Sequence, residues 1–418
     1  MMKNKILKLV AMVSIVTLLS LVAISNNAYA ILPQNSTSWY WTSDTKTSSV
    51  IASDVDGDGG IEIVSGGYYT DNTVWSSQLT VWNGTTLALE NVRVWYWTSN
   101  TQIASVAAGD VDGDGGIEIV TAGAYFDNTR WNAQLIIWNG STLAFENARL
   151  WYWTSNTQIS SIAVANISGG IGLDIVTGGS YFDGTQNVAQ LVVWNGTNLS
   201  LENVRVWSWT SNTYISSVIA SNVDADPAVE IVTGGAYFDN TRWNAQIVVW
   251  NGANLALKNV RTWFWTGDTD IASIAAGDVD GDGGLEILTA GSYFDTLRNN
   301  AQLVVWNGST VGLENVKVWY FTSNTVLSSV AYGDVNADGI VDVVTGGKFF
   351  DGTRYNAQVT VQPGTTLVGN AGANWFTISD TLIESLAISN LIGTGNRIVT
   401  GGAYSDLTRS IAQVEVWG

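Results

Sequence analysis

The chain has 418 residues, of which 36 are acidic and 17 are basic, so its formal charge is −19 at neutral pH. A balance this acidic argues against nucleic acid and anionic membrane surfaces as partners. The sequence contains neither histidine nor cysteine, which excludes disulfide bonds and removes the commonest acid–base and nucleophilic side chains.

The first predicted element is a secretory signal over residues 1–30. Three lysines precede a largely apolar run that ends near Ile24, and Ala28-Tyr29-Ala30 fits the small-x-small cleavage rule. An uncleaved membrane anchor is the alternative for this segment. Cleavage would take the formal charge from −19 to −22, because three lysines and no acids are lost. We expect residues 31–418 to form one domain without a transmembrane segment, secreted or held at the cell surface.

The rest of the chain repeats itself every 56 residues. The clearest register is a tryptophan, at Trp39, Trp95, Trp151, Trp207, Trp263, Trp319 and Trp375. Each copy holds four short runs rich in Val, Ile, Trp and Tyr, separated by turn signals such as Asn-Gly. Four strands repeated seven times predict an all-β fold, a seven-bladed β-propeller with four antiparallel strands per blade.

The ends of the repeat region predict how the ring closes. The run Ser38–Thr42 reads as a fourth strand with no preceding three, and the sequence ends at Gly418 after a third strand. We therefore expect the N-terminal strand to complete the last blade, which removes an unpaired sheet edge.

Each copy carries an acidic loop that reads DVDGDGGIE in its best-formed versions. Acids occupy positions 1, 3, 5 and 9, and glycine at position 6 permits a tight bend. Alternate oxygens of such a turn point at one centre, and hard oxygen donors in this number suit Ca²⁺ better than Mg²⁺. A plain Asp-Gly turn needs no acids at four fixed positions. We therefore predict about four or five Ca²⁺ ions for the chain.

The predicted metal ligands differ among the copies. The complete sets in the first, second and fifth copies are Asp54, Asp56, Asp58, Glu62; Asp110, Asp112, Asp114, Glu118; and Asp278, Asp280, Asp282, Glu286. The sixth copy offers Asp334, Asn336, Asp338 and Asp342. The fourth copy offers Asn222, Asp224, Asp226 and Glu230, with Pro227 in place of the glycine. The third and seventh copies have lost most of these ligands.

The segment GDVDGDGGIEIVTAGAYFD, followed by AQLIIWNG, resembles the FG-GAP or VCBS repeat, the blade of integrin α-subunit propellers and of many microbial secreted proteins. The resemblance extends over Ser38–Gly418. It implies that the acidic loop joins the first two strands of a blade and binds Ca²⁺ on one face, while partners dock on the opposite face. The accessory domains of integrins are missing, so the resemblance does not imply integrin-like signalling.

The loop between the second and third predicted strands is the candidate ligand-binding surface. Its candidate residues are Trp75, Arg130, Trp131, Arg242, Trp243, Arg354 and Tyr355. An aromatic ring beside a cation and amides suits carbohydrate, because the ring stacks on a sugar while the polar groups bind hydroxyls. The alternative is that the loop sequences vary without a binding function and that the aromatics only shield the blade ends. We assign most of the other tryptophans to packing between blades.

These features predict a secreted or cell-surface, calcium-binding propeller that binds an extracellular glycan or protein in adhesion or cell-envelope interaction. We expect no enzyme activity and predict no catalytic residue, because the clustered carboxylates are committed to Ca²⁺ and histidine and cysteine are absent. A propeller-type polysaccharide lyase or other carbohydrate-active enzyme is one alternative, and a purely structural envelope component is another. The sequence does not define an oligomeric state.

Overall fold

The structure is a computed structural model that describes residues 31–418 except positions 72, 225, 370, 392 and 394. The predicted signal at residues 1–30 lies outside the described residues. All regular elements within the described part are β-strands. Accordingly, the described residues form no helix with the length and apolar character needed to cross a membrane.

Each blade contains four strands, ordered from the propeller axis outwards. The first strands are β2 (Thr45–Ser53), β6 (Thr101–Gly109), β10 (Thr157–Ala165), β14 (Thr213–Ser221), β18 (Thr269–Gly277), β22 (Thr325–Gly333) and β26 (Thr381–Ser389). The second strands are β3 (Glu62–Thr70), β7 (Glu118–Phe126), β11 (Asp174–Phe182), β15 (Glu230–Phe238), β19 (Glu286–Phe294), β23 (Asp342–Phe350) and β27 (Arg397–Ser405).

The third strands are β4 (Trp75–Asn83), β8 (Trp131–Asn139), β12 (Asn187–Trp194), β16 (Trp243–Asn251), β20 (Asn299–Asn307), β24 (Tyr355–Pro363) and β28 (Ser410–Trp417). The outer strands are β5 (Leu89–Trp95), β9 (Phe145–Trp151), β13 (Leu201–Trp207), β17 (Leu257–Trp263), β21 (Leu313–Trp319), β25 (Ala371–Trp375) and β1 (Pro33–Trp39). They form seven four-stranded antiparallel sheets. The predicted seven-bladed propeller is therefore confirmed, and blades are numbered as the sequence copies were.

Blade 7 combines strands from both ends of the described chain. Strand β1 pairs antiparallel with β28, so that Thr37 faces Val414, and the sheet order is β1, β28, β27, β26. The prediction that the N-terminal strand closes the last blade is confirmed. Hydrogen bonds of this strand thus hold the ring shut and cover the edge of β28.

A ring of serines joins the blades around the axis. Each first strand contacts the first strands of both neighbouring blades, and β26 contacts β2. On each first strand one serine hydroxyl accepts a backbone N–H of the next blade, as Ser49 does from Val106. The seven serines are Ser49, Ser105, Ser161, Ser217, Ser273, Ser329 and Ser385, with bonds of 3.0–3.3 Å.

Aromatic rings fill the wider space between the outer parts of neighbouring blades. The rings of Trp39 in blade 7 and Trp82 in blade 1 lie 4.8 Å apart, and the same pair recurs around the propeller. Gln78 Oε1 accepts from the indoles of Trp39 and Trp41 at 2.9 and 2.6 Å. Its Nε2 donates to the carbonyl of Lys46 at 3.1 Å. The tryptophan and glutamine registers therefore act together in packing and in hydrogen bonding the blades.

The first strand of each blade bulges by one residue near the axis. In blade 1 the bulge falls between Thr47 and Ser49, opposite Gly66 and Gly67. A Cβ on Gly67 would lie 2.0 Å from the Lys46 carbonyl oxygen, so no other residue fits there without moving the backbone.

Candidate metal centres and the opposite face

The acidic loop of blade 1 is a tight turn built around Asp54. Gly57 and Gly59 adopt left-handed backbone angles, with φ of 77° and 90°. These turns aim two backbone N–H groups at the Asp54 carboxylate, which accepts from Gly57 at 2.8 Å and from Gly59 at 3.0 Å. Local hydrogen bonds thus fix the first acid, and the loops of blades 2 and 5 repeat them.

The remaining acids of the blade 1 loop are oriented in the same way. Asp56 Oδ1 accepts the N–H of Asp58 at 3.1 Å, and Asp58 Oδ1 accepts that of Gly60 at 2.7 Å. Glu62 begins β3, is only 2% exposed, and accepts the N–H of Val55 at 3.0 Å. Each bond engages one oxygen of its carboxylate, which leaves the second oxygen of Asp56, Asp58 and Glu62 for another ligand.

Carboxylate oxygens converge in four of the predicted loops. Groups of three acids each place one oxygen within 4.8 Å of the others: Asp54, Asp56, Asp58; Asp110, Asp112, Glu118; Asp224, Asp226, Glu230; and Asp278, Asp280, Asp282. Like charges brought this close repel in the absence of a cation. All of the donors are hard oxygens, so these clusters could hold a metal ion of the Ca²⁺ type.

The pKa of the ninth-position acids reflects this crowding. Burial raises the pKa of Glu62 to about 7, against the Val55 hydrogen bond, and the charges of Asp56 and Glu90 add to the rise. The pKa values of Glu118 and Glu286 are also raised to about 7, and that of Asp342 to about 6, chiefly by burial. A nearby cation would reverse this tendency, because it favours the ionised carboxylate.

A further acid from the outer strand reaches the cluster of blade 5. Glu314 on β21 places a carboxylate oxygen within 4.8 Å of those of Asp280 and Glu286. The corresponding residues five positions before the outer-strand tryptophan are Glu90, Glu146 and Glu202 in blades 1 to 3. The sequence analysis missed these glutamates, although their 56-residue spacing is a visible signal. Glu90, Glu146 and Glu314 add negative charge beside the clusters of blades 1, 2 and 5.

The sixth loop keeps the same hydrogen-bonded turn with fewer acids. Asp334 Oδ2 accepts the N–H of Gly339 at 2.9 Å, and Asn336 Oδ1 accepts that of Asp338 at 2.9 Å. Asp342 accepts the N–H of Val335. The four residues predicted as ligands in this loop therefore accept the loop hydrogen bonds of blade 1, except that Asp334 Oδ1 accepts the N–H of Asp338 at 3.2 Å where Asp54 accepts that of Gly57.

The fourth loop is built differently because Pro227 replaces the glycine. Proline has no N–H to donate and cannot reach a φ of 90°, so the turn of blade 1 cannot form. Asn222 instead donates its side-chain amide to the carbonyl of Asp226. The ammonium of Lys258 lies 2.5 Å from Asp224, 2.8 Å from Asp226 and 2.8 Å from Glu230. Burial alone would lower the pKa of Lys258, but these hydrogen bonds raise it.

The third loop is closed by hydrogen bonds among its own residues. Asp174 Oδ2 accepts the N–H groups of Ile167 and Ser168 at 2.9 and 2.7 Å, and Oδ1 accepts the Ser168 hydroxyl at 3.1 Å. In place of converging acids, this loop has one carboxylate that is bonded at both oxygens. The loss of ligands noted in the sequence thus has a structural counterpart.

Partly exposed aromatic rings meet on the face opposite the acidic loops. Trp75 lies 5.2 Å from Tyr68 and 6.2 Å from Trp131 of the next blade, between ring centres. Trp131 in turn lies 5.6 Å from Phe126. These four residues form an aromatic cluster across blades 1 and 2. Trp243 belongs to blade 4 and not to this cluster; its ring centre lies 5.2 Å from that of Tyr214.

The arginines of this face do not pair with the aromatics that follow them in the sequence. Arg130 lies 4.4 Å above the ring of Tyr152, Arg242 the same distance from Phe264, and Arg354 4.3 Å from Phe376. Arg298 and Arg409 stack in the same way on Tyr320 and Tyr40. Arg130, Arg242 and Arg354 therefore stack on rings of the outer-strand end and not on Trp131, Trp243 and Tyr355, which follow them in the sequence. These arginines tie the loop to the end of the outer strand.

The second residue of each first strand, at this same end, is of six different types among the seven blades. These residues are Lys46, Gln102, Gln158, Tyr214, Asp270, Val326 and Leu382, whereas the residue before each of them is always threonine. All seven are at least partly exposed, and the threonines are buried. The sequence analysis missed this register. A position that varies inside an otherwise regular repeat, next to the axis, breaks the seven-fold symmetry of the surface.

Two acids lie near the axis at this end of the propeller, which we call the mouth. Burial raises the pKa of Glu384, while Lys348 and Lys46 lower it. Burial also raises the pKa of Asp270, which accepts from the backbone and hydroxyl of Ser292 at 3.1 and 3.2 Å. The mouth thus presents basic, acidic and aromatic groups in different blades.

The model of the FG-GAP-like repeat family matches residues 54–121, which run from the first acid of the blade 1 loop into β7. This segment is therefore similar to the repeat that its motifs resemble. No curated protein sequence matches the chain. Among solved structures, the V. cholerae biofilm matrix protein Bap1 is similar over 91% of this chain and 90% of its own, with 11% identity and a TM-score of 0.49. A likeness at this level carries no information about function.

Proposed function

We propose that the protein is an extracellular or cell-surface propeller, stabilised by Ca²⁺ in the acidic loops, that binds a carbohydrate ligand on the face opposite those loops. The observation that carries the ligand site is the aromatic cluster of Tyr68, Trp75, Trp131 and Phe126, whose rings lie within 5.2–6.2 Å of their neighbours. Grouped, partly exposed rings offer flat apolar surface on which the faces of sugars stack.

The surroundings of the cluster support a polar ligand. Lys46, Gln102 and Gln158 lie next to the axis in blades 1 to 3 and provide donors and acceptors for hydroxyl groups. The arginines of this face are engaged with Tyr152 and its counterparts, so we assign them to loop stability and not to the ligand. The proposed site is therefore the aromatic cluster with the neighbouring polar groups at the mouth.

The acidic loops would serve this site indirectly. When bound, Ca²⁺ supplies positive charge that offsets the repulsion among Asp54, Asp56, Asp58 and Glu62. These residues hold the turn between β2 and β3 through their bonds to backbone N–H groups. A rigid turn also holds β2 in place, and the other end of β2 carries Lys46 at the mouth. We propose that the metal supports the scaffold and does not contact the ligand.

The test is glycan binding by the mature chain in millimolar Ca²⁺, followed by calorimetry with the best ligand. Trp131→Ala is expected to weaken binding about ten-fold or more, because one stacking ring is lost. Tyr332→Ala is the matched control, since it removes an exposed aromatic at the acidic-loop end of the axis and introduces the residue found there in blades 1 and 2. Failure to bind any glycan, or equal effects of both variants, would contradict the proposed site. If the chain bound a protein but no glycan, the proposed binding face would stand and the proposed carbohydrate ligand would be wrong.

The proposal assigns no catalysis to this site. Asp270 and Glu384 are the acids that a carbohydrate-active enzyme would use at the mouth; Asp270 accepts two hydrogen bonds from Ser292, and the charges of Lys348 and Lys46 act on Glu384. Incubation of the glycan ligand with the protein should leave its chain length unchanged. New reducing or unsaturated ends that disappear in Asp270→Asn or Glu384→Gln would favour the enzyme alternative.

One observation favours self-assembly as a second candidate function. The outer strand β13 exposes Leu201, Val204 and Val206 by 46%, 37% and 44%, and it pairs with β12 alone among the described strands. Apolar side chains on an open strand edge promote pairing with another chain. Light scattering that shows Ca²⁺-independent assembly, abolished by Val204→Lys, would support a structural envelope role.

A further inference from the structure

The acidic cluster of blade 4 already contains a cation. The Lys258 ammonium lies within 2.8 Å of one oxygen from each of Asp224, Asp226 and Glu230. These acids occupy positions 3, 5 and 9 of the loop, the same positions as Asp56, Asp58 and Glu62 in blade 1. The side chain of Glu230 is fully buried and that of Lys258 is 22% exposed, so the contact is not a solvent-exposed ion pair.

Lys258 stands at a register that carries glutamate in four other blades. It lies five residues before Trp263 on β17, where blades 1, 2, 3 and 5 have Glu90, Glu146, Glu202 and Glu314. In blade 5, Glu314 contributes an oxygen to the acidic cluster. The same outer-strand position therefore delivers a negative group to a complete loop in one blade and a positive group to the loop with Pro227 in another.

We propose that Lys258 is the resident cation of blade 4, so that this blade is closed without a metal, and that in loops which keep their acids the charge of the outer-strand residue favours or opposes metal binding. The inference rests on the Ca²⁺ binding proposed for the other loops. An ammonium inside the carboxylate cluster occupies the place of a divalent ion and satisfies part of the same charge. A glutamate at that register adds an oxygen donor and a negative charge, which strengthens the attraction for a divalent cation.

Blade 7 shows a related exchange at the same two registers. Arg397 begins β27 opposite Ser389, as Glu62 begins β3 opposite Ser53. Its Nε donates to Gln34 Oε1 at 3.0 Å, and Gln34 lies five residues before Trp39, at the register of Lys258. Blade 7 thus has a cationic side chain, hydrogen-bonded to the outer strand, at the two registers where blade 1 has Glu62 and Glu90.

The first test removes the internal cation. Lys258→Met keeps the length of the side chain and frees three carboxylates. The melting temperature is expected to fall by several degrees in chelator and to recover most of this loss in millimolar Ca²⁺, with one more Ca²⁺ bound per chain. Lys317→Met is the control, because Lys317 sits on the outer strand of blade 5 and donates to the carbonyls of Leu367 and Gly369. The fall in melting temperature caused by Lys317→Met should be the same with and without Ca²⁺.

The second test introduces a cation into a loop expected to bind metal. Glu314→Lys should place an ammonium beside Asp280 and Glu286, lower the number of bound Ca²⁺ ions by one, and reduce the effect of chelator on the melting temperature. Glu314→Gln should keep the ion with weaker affinity.

The outcomes separate this inference from the calcium proposal. Wild-type protein that binds Ca²⁺, together with a Lys258→Met variant that gains no ion and loses the same stability with and without Ca²⁺, would overturn the inference alone. Wild-type protein that binds no Ca²⁺ would overturn both.

Discussion

The serine ring gives every pair of neighbouring blades one hydrogen bond of the same kind. Ser161 Oγ accepts the N–H of Val218 at 3.1 Å, and the other six blades repeat this bond. The acceptor is a short side chain next to the axis, where the blades approach each other most closely. Its loss leaves a backbone N–H of the neighbouring strand without its acceptor, which costs more than the bond itself contributes.

Ser161→Ala is predicted to lower the free energy of unfolding by about 1–3 kcal/mol, the usual cost of an unsatisfied buried donor. Ser160→Ala is the control, since Ser160 is the exposed bulge residue beside it. Urea unfolding followed by tryptophan fluorescence measures both variants. Equal midpoints for the two variants would contradict a role of this hydroxyl in joining the blades.

A buried glutamate, Glu415, is expected to make the stability of the closing blade depend on pH. The residue lies on β28 between β27 and β1, is 5% exposed, and takes the register that Thr80 and Val192 occupy in other blades. Burial raises its pKa from 4.5 to about 8, and the nearby Trp375 offsets only part of that rise. Between these two pH values the folded chain holds a proton at Glu415 that the unfolded chain has released.

Stability is therefore predicted to fall as pH rises from about 4.5 through 8, because the native state must give up a proton from a buried group. Glu415→Gln stays neutral and should melt above the wild type at pH 9 by several degrees, with a smaller difference at pH 5. Thermal melts at both values, with Ca²⁺ held saturating, measure the effect. A difference that is independent of pH would show that the carboxyl does not titrate in this range.

Strand β1 is the element on which closure depends. It supplies the outer strand of blade 7, and Trp39 packs on Trp82 of blade 1. A chain that begins after residue 39 is predicted to lose cooperative unfolding and to aggregate, because the edge of β28 and the ring of Trp82 become exposed. Size-exclusion chromatography compares it with the chain that begins at residue 31. A monomer with an unchanged melting curve would contradict this role.

The strands and their order could be predicted because they follow from a period that the sequence displays directly. Trp39 and its counterparts mark the outer strands, and the acidic loops mark the end of each first strand. The cation at the fourth loop could not be predicted from loop spacing, because Lys258 comes from the outer strand, 28 residues after Glu230. The stacking of Arg130 on Tyr152 was missed for the same reason, since it joins two loops rather than two neighbours in sequence.

At the scale of the whole molecule, the loops between the first and second strands lie at one end of all blades, and these loops are of two kinds. In blades 1, 2, 5 and 6, side chains of the loops hold the turn through backbone N–H groups and leave further oxygens available. Blades 3, 4 and 7 use hydrogen bonds or cationic side chains of the chain itself. The molecule thus combines loops expected to require Ca²⁺ with loops expected to be independent of it.

The most direct test of this account is the number of Ca²⁺ ions bound by the mature chain, measured by equilibrium dialysis at millimolar free Ca²⁺, with thermal melting of the same samples. We predict about four ions per chain, one for each of blades 1, 2, 5 and 6, and a melting temperature that rises with Ca²⁺ concentration. Fewer than one ion per chain, with melting curves that coincide in Ca²⁺ and in chelator, would contradict it.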